Sequence, residues 1–134
     1  MILTYQVAQQ IIKSILTELE KRKVHAAIAV ADSHGELMAF LRMEEVKLHS
    51  ITIAANKAWT AARTRKATSE LGKAIKDSAK GFDISFYGDP KYTGFGGGVP
   101  IFYEGKVIGA VAVSGLTQDE DEEVALVGLK GISF

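Results

Sequence analysis

The chain contains the run Gly94-Phe95-Gly96-Gly97-Gly98-Val99-Pro100-Ile101, which leads directly into an apolar segment that ends at Ser114. Two apolar pieces, 99–104 and 107–114, flank Glu104-Gly105-Lys106 and predict a β-hairpin that turns at these three residues. Four of the eight residues at 94–101 are glycine, so the backbone there can approach another group closely or adopt positive φ. We therefore expect a hairpin entered through a loop that either borders a binding site or makes a plain bend between strands.

The glycine-rich loop matches neither of the common phosphate-binding motifs. A Walker A loop needs Gly-x-x-x-x-Gly-Lys-Ser/Thr, and a Rossmann turn needs Gly-x-Gly-x-x-Gly between a strand and a helix. Here Val99 stands where the third Rossmann glycine would be, and a strand follows instead of a helix. The loop sequence therefore argues against nucleotide binding at this place.

Helices and hairpins fill the rest of the chain. Thr4 is the candidate N-cap of the first helix, and Thr117 with Glu120 has the form of a capping box. Periodicity predicts helices at 4–23, 48–65, 68–80 and 118–129, strands at 25–32 and 36–42, and one short strand near 84–87 within the loop 81–98. Hairpins without βαβ units indicate an α+β fold with an antiparallel sheet, and the length of 134 residues predicts a single domain over 1–134.

Charge is balanced over the whole chain but uneven along it. Sixteen basic and sixteen acidic residues cancel, which argues against nucleic acid or an anionic membrane as partner. Positions 57–80 nevertheless carry seven cations and two acids, whereas 119–123 are all acidic. The basic segment is interpreted as a solvated helix face, an anion-attracting rim or a complementary contact between subunits.

The chain has no cysteine, which excludes disulfides, thiolate metal sites and cysteine nucleophiles. Its first five residues lack the basic region and apolar core of a secretion signal, and no apolar run approaches the roughly 20 residues that cross a bilayer. We therefore expect a cytoplasmic protein.

Four segments resemble one family, the GlcG/HbpS-like proteins. This family is also described as a haem-binding or haem-degrading domain, and it forms the C-terminal part of some PduO-type corrinoid adenosyltransferases. The matching segments occur in family order over essentially the whole chain: ADSHGELMAFLRM (31–43), AANKAWTAA (54–62), FGGGVPI (95–101) and GAVAVSG (109–115). The chain departs from the usual pattern at Arg42-Met43-Glu44, where Asp is common after Met, and at Lys80, where Pro is usual.

The resemblance implies a profilin-like fold in α/β/α layers with a five-stranded antiparallel sheet, and assembly into dimers or higher homo-oligomers. Family members are associated with haem or corrinoid chemistry or with glycolate and diol metabolism. The ligand implied for this chain is therefore haem or cobalamin.

Several polar residues near the glycine loop are candidates for ligand binding. Lys57 and Thr60 lie three residues apart on one predicted helix face, and Arg42 ends a strand, so the three can together bind a carboxylate or phosphate. The candidate ligand-binding set joins them to Phe95, Gly96, Gly97, Gly98, Val99 and Pro100. Asp32 is expected to cap a turn rather than act as an acid or base.

Three histidines, His25, His34 and His49, offer imidazole ligands, but no two have a helical His-x-x-x-His spacing. His49 is the candidate metal ligand because it begins the alanine-rich helix. Three hypotheses remain: an oligomeric small-molecule-binding protein for haem or a corrinoid, an enzyme or enzyme accessory of glycolate or diol metabolism, and a structural assembly protein without a ligand.

Overall fold

Four strands form one antiparallel sheet in the computed structural model, which describes residues 2–134. The strands are β1 (Ala27–Asp32), β2 (Leu37–Arg42), β3 (Gly98–Tyr103) and β4 (Lys106–Ser114), in the order β2-β1-β4-β3. Two hairpins therefore lie side by side, joined through β1 and β4. The predicted α+β class with an antiparallel sheet is confirmed. Met1, the first residue of the domain predicted over 1–134, lies outside the described residues.

Helices cover both faces of the sheet. They are α1 (Tyr5–Arg22), α2 (His49–Thr64), α3 (Thr68–Lys76) and α4 (Gln118–Lys130). Helices α1 and α4 pack on one face, where the core is built from large aliphatic side chains such as Ile15, Val30 and Val111. Helix α2 packs on the other face against small ones, such as Ala29 and Ala112. Because alanine side chains are short, α2 lies close to the sheet and the chain forms three layers.

The capping signals in the sequence are confirmed at the N-termini of α1 and α4. The Thr4 hydroxyl accepts a hydrogen bond from the Val7 backbone N–H at 3.3 Å, and Thr117 with Glu120 forms the complete capping box. Helix α3 ends at Lys76, four residues before its predicted end, because the backbone becomes extended at Asp77.

The second hairpin turns through two residues. Glu104 and Gly105 both have positive φ, at 50° and 78°. Positive φ at both central residues is the type I′ arrangement, which matches the twist of the flanking strands.

The implied fifth strand is wrong for the part of the chain that the structure describes. Residues Ile84–Tyr87, where a short strand was predicted, form one turn of 3₁₀ helix. The Asp83 carboxylate accepts hydrogen bonds from the Ser85 backbone N–H at 2.9 Å and from its hydroxyl at 2.7 Å, and Gly88 ends the turn with φ +80°. Local side-chain bonds of this kind compete with strand pairing for the backbone.

The outer edge of β3 is closed to a further strand. Gly98 directs its backbone N–H and C=O away from β4, and both contact the Thr68 hydroxyl, at 3.0 Å and 3.5 Å. Two residues further along the same edge is Pro100, which has no N–H to donate. This edge therefore offers few free groups with which another strand could pair.

Gly97 and Gly98 are required by close approach. A Cβ on Gly97, which has φ +132°, would lie 2.5 Å from the Val113 carbonyl oxygen and 2.7 Å from Lys57 Nζ. A Cβ on Gly98 would lie 2.6 Å from the Lys57 carbonyl oxygen. The glycines thus let β3 begin in contact with α2 and with the end of β4.

Replacing Gly97 with alanine should destabilise the fold by roughly 3 kcal/mol, because a disfavoured φ and an overpacked contact add together. Gly105→Ala is the matched control: its φ is also positive, but a Cβ there meets nothing within 4 Å. Urea denaturation should show a clearly larger loss for Gly97→Ala. Equal losses in the two variants would show that the close packing around Gly97 is unimportant.

Candidate functional site

A buried ion pair joins the two helical layers at one end of the sheet. Lys57 on α2 and Asp121 on α4 are each 2% exposed, and Lys57 Nζ lies 3.0 Å from Asp121 Oδ2. Lys57 Nζ also donates to the Val113 carbonyl oxygen at 3.0 Å, and Asp121 Oδ1 accepts from the Leu116 N–H at 3.0 Å. Since α2 and α4 pack on opposite faces, this pair connects the layers where β4 ends.

Burial shifts both members of the pair toward their neutral forms. Desolvation lowers the pKa of Lys57, and the attraction and hydrogen bond of Asp121 oppose that change. Desolvation likewise raises the pKa of Asp121, against the attraction of Lys57 and the backbone N–H donors. The attraction between the two groups therefore opposes the pKa shift that burial imposes on each.

A cleft of about 190 Å³ opens beside the ion pair. Its walls come from the start of α2, the glycine loop and the turn between β4 and α4: Lys47, His49, Ser50, Ile53, Lys57, Phe95, Ser114, Gly115, Leu116, Gln118 and Asp121. The N-terminal ends of α2 and α4 both border the cleft, and Asp121, its one carboxylate, is already paired. The N-terminus of α2 and the side chain of Lys47 contribute positive charge to the cleft, whereas α4 carries Asp119, Glu120 and Asp121 in its first turn, which offset the dipole of that helix.

The structure brings three of the predicted site residues together. Lys57, Phe95 and His49 all line the cleft. Thr60 lies on the same helix, but its hydroxyl accepts from the Thr93 N–H and donates to the Lys91 carbonyl, so it anchors the loop before the glycine run.

The other predicted residues lie around the cleft rather than in it. The Gly96 N–H donates to Gln118 Oε1 at 2.9 Å, which ties the glycine loop to the start of α4. Gly97 and Gly98 pack against the ion pair and α2, as described above, and Val99 and Pro100 line a separate groove beside β3. Arg42 on β2 pairs with Ala27 on β1, and Ala27 pairs with Ser114 on β4. Arg42 therefore lies at the same end of the sheet as the cleft but two strands away from it, and it is exposed.

The remaining candidates have local partners. Asp32 caps the turn between β1 and β2, since one carboxylate oxygen accepts from the N–H groups of His34 and Glu36. His25 Nδ1 lies 2.8 Å from the Glu44 carbonyl oxygen, and His34 is exposed on that turn. Within residues 2–134, no three His, Asp or Glu side chains come together as a metal-binding group. None of the helices in that range is long and apolar enough to cross a membrane.

Asp121 and Gln118 are site residues that the sequence reasoning missed. Asp121 was hidden within the acidic run 119–123, which is typical of an exposed helix start. Its spacing distinguishes it, because Asp121, Val124, Ala125 and Gly128 follow the intervals of a buried helix face, and all four are buried. No comparable signal marks Gln118.

The fold and the cleft define a three-layer α+β protein with a small cleft at one end of its sheet. The chain belongs to the HbpS-like family, because a family model described as "Haem degrading protein HbpS-like" matches residues 3–130.

Individual relatives agree with this assignment. The chain is 38% identical over 113 residues to protein GlcG of Escherichia coli K12, covering 84% of this chain and 81% of GlcG. It is 29% identical over 133 residues to the corrinoid adenosyltransferase PduO of Citrobacter freundii, which is 99% of this chain but only 40% of that protein. The crystal structure of a PduOC:heme complex superposes with a TM-score of 0.91 at 26% identity, covering 99% of this chain and 96% of the other.

Breaking the ion pair from one side should be costly. Lys57→Met leaves Asp121 buried without its cation, and we expect a loss of about 3–5 kcal/mol in the free energy of unfolding, measured by urea denaturation. The double variant Lys57→Met/Asp121→Asn removes both charges and keeps an acceptor for the Leu116 N–H, so it should recover much of that loss. A double variant as unstable as the single one would show that the charge is not the cause.

The single variant also has a pH signature. Without Lys57, the pKa of Asp121 in the folded protein lies further above its value in the unfolded chain. Protonation of Asp121 therefore stabilises the folded state. This contribution to the free energy of unfolding is lost as the pH rises through the folded-state pKa. The deficit of Lys57→Met should therefore be smaller in mildly acidic than in neutral buffer, and the double variant should lack this trend.

Proposed function

We propose that this protein binds a tetrapyrrole, haem or a corrinoid, at the cleft beside His49. The observation that carries the proposal is the position of this imidazole on a cleft that is also lined by Lys47 and bordered by the N-terminus of α2. Imidazole is a common axial ligand of haem iron, and helix N-termini favour carboxylates such as haem propionates. Membership of the HbpS-like family and the haem complex of PduOC support the same ligand class.

The residues of the cleft suit such a group. His49 would supply the axial ligand, Lys47 a cation for a carboxylate, and Phe95, which is 51% exposed, an apolar surface. The cleft is smaller than the roughly 300–1,000 Å³ of typical ligand sites. A second cavity of about 280 Å³ is also lined by Phe95 and Gln118, and the proposal requires a haem to extend into it. Bound haem would contribute iron-centred redox and oxygen chemistry, whereas the chain itself binds and orients the group.

His49 is the best placed of the three histidines. His25 is engaged with the Glu44 carbonyl, and His34 lies on the turn after β1, at the opposite end of that strand from the cleft. Only His49 among them lines the cleft.

Haemin titration followed by the Soret band tests this assignment. His49→Ala should weaken haemin binding about tenfold or more, because the axial bond is lost, while His34→Ala should bind as the unchanged protein does. Metal-free protoporphyrin should be insensitive to His49→Ala, since it forms no axial bond. A parallel titration with cobalamin distinguishes the corrinoid version.

Two outcomes would contradict the proposal. Flat haemin and cobalamin titrations of the unchanged protein at micromolar ligand would reject a tetrapyrrole ligand altogether. Equal haemin affinities of His49→Ala and His34→Ala would reject the cleft as its site.

We also propose that copies of the chain associate through the groove beside β3. The groove measures about 590 Å³, and three exposed apolar side chains line it, Phe102, Leu126 and Phe134. Its rim carries both signs of charge, from Arg65, Lys66 and Lys73 and from Glu70 and Glu122. A surface with both signs can complement its own copy across a two-fold axis, and an exposed apolar patch favours association.

Phe102→Glu should shift the protein toward monomers, because it places a charge in the proposed contact. Phe102 is 56% exposed, so the fold of each chain should survive the change. Phe86→Glu is the control, since Phe86 is 86% exposed and lies outside the groove. Light scattering should show a lower mass for Phe102→Glu only, and an unchanged mass would reject this contact.

A further inference from the structure

The basic segment singled out in the sequence has no role in the cleft beside His49, apart from Lys57. Four of its six exposed cations, Arg63, Lys66, Lys73 and Lys80, line two adjoining cavities between the end of α2, α3 and the loop 81–93. One measures about 350 Å³ and the other about 450 Å³, and they share Lys66, Leu71 and Tyr87. We call the two together the basic-aromatic cleft. Each is within the range of roughly 300–1,000 Å³ that is typical of ligand sites.

Aromatic rings form one wall of the basic-aromatic cleft. Tyr92, Tyr87 and Phe82 line the two cavities, and Trp59, which lines neither, contacts Tyr92. The ring centroids are 4.5 Å apart for Trp59 and Tyr92, 4.9 Å for Tyr92 and Tyr87, and 5.4 Å for Tyr87 and Phe82. Tyr87, in the shared part, remains 46% exposed, so part of its ring is free. Exposed aromatic rings offer a surface on which a planar ligand can stack.

Cations form the rim. Arg63, Lys66, Lys73 and Lys80 line the two cavities, whereas Glu70 is their one acid. Among residues 2–134, none of these four cations lies within 4.0 Å of a carboxylate oxygen. No ion pair therefore neutralises their charge. Lys66 and Lys73 also line the groove proposed as the contact between copies, whereas Arg63 and Lys80 lie outside it.

Arg63 is held in place before any ligand arrives. Its guanidinium carbon lies 4.7 Å from the centre of the Trp59 ring, its Nε donates to the Tyr92 hydroxyl at 3.3 Å, and its Nη1 donates to the His34 carbonyl at 3.4 Å. A guanidinium fixed in this way loses less freedom on binding an anion than a free one.

We propose that the basic-aromatic cleft binds a nucleoside phosphate, with the base against Tyr87 and the phosphates among Arg63, Lys66 and Lys80. Aromatic stacking and cationic hydrogen-bond donors are the two features that recognise a planar ring bearing anionic groups. The absence of a phosphate motif in the glycine loop does not bear on this site, which lies on α2, α3 and the loop 81–93. A haem with its propionates shares the same chemistry, so the experiment includes it as a separate arm.

Isothermal titration with ADP at low salt tests the proposal. Lys80→Glu should weaken ADP binding about tenfold, and added salt should reduce the difference, because the interaction is between exposed charges. Lys106→Glu, the same change of charge on the β3–β4 turn, is the control and should have no such effect. Tyr87→Leu should also weaken ADP binding while leaving that of inorganic tripolyphosphate unchanged.

The outcomes separate this proposal from the tetrapyrrole one. No heat with ADP at millimolar concentration, or equal losses in Lys80→Glu and Lys106→Glu, would overturn it. ADP binding that is unchanged in Tyr87→Leu, or weakened there only as much as that of tripolyphosphate, would overturn the role of the rings. Haemin that displaces ADP, and whose binding is weakened by Lys80→Glu but not by His49→Ala, would replace the nucleoside phosphate with a tetrapyrrole at this cleft. Haemin binding weakened only by His49→Ala leaves the two sites distinct.

Discussion

The ion pair between Lys57 and Asp121 is the constraint around which the end of this fold is arranged. Taking two charges out of water costs several kcal/mol for each ion, which is offset only if each finds its partner and further hydrogen bonds. Here the extra bonds come from the Val113 carbonyl and the Leu116 N–H. The end of β4 and the turn into α4 are therefore held by the same contact that joins the layers. Side-chain volume is excluded at Gly97 for the same reason, because the ammonium occupies that space.

Much of the fold follows from local rules that act within a few residues. The intervals of apolar residues, the Thr4 cap and the Thr117–Glu120 capping box placed the helices to within a few residues, except that α3 is shorter. The strand predicted near 84–87 is wrong because apolar content alone favoured it, whereas the Asp83 side chain holds the backbone in a turn. The resemblance implied a sheet of five strands, and the segment 84–87 was the fifth strand predicted from the residues. Its 3₁₀ conformation therefore accounts for both errors.

The candidate site was only partly predictable for a different reason. The sequence signals three of the residues at this site. Gly97 is marked by its backbone freedom, Lys57 by its position on a predicted helix face, and His49 by the metal-ligand chemistry of imidazole. Their meeting depends on tertiary packing, which no spacing along the chain records. Asp121 shows this most clearly, since an acid in a run of acids is typical of a solvated helix start. Asp121 becomes the counter-ion of Lys57, 64 residues earlier in the chain, only because α4 packs against the sheet in the folded protein.

The closed edge of β3 determines how far a sheet of this kind can grow. Thr68 already occupies the polar groups of Gly98, and Pro100 has none to donate, so strand pairing between copies is restricted to the opposite edge, at β2. A sheet with a single edge open to pairing can join one partner and then presents only closed edges. Strand pairing between copies at β2 would therefore join two chains into one continuous sheet, bounded at both ends by a β3 edge with few groups left for a further strand.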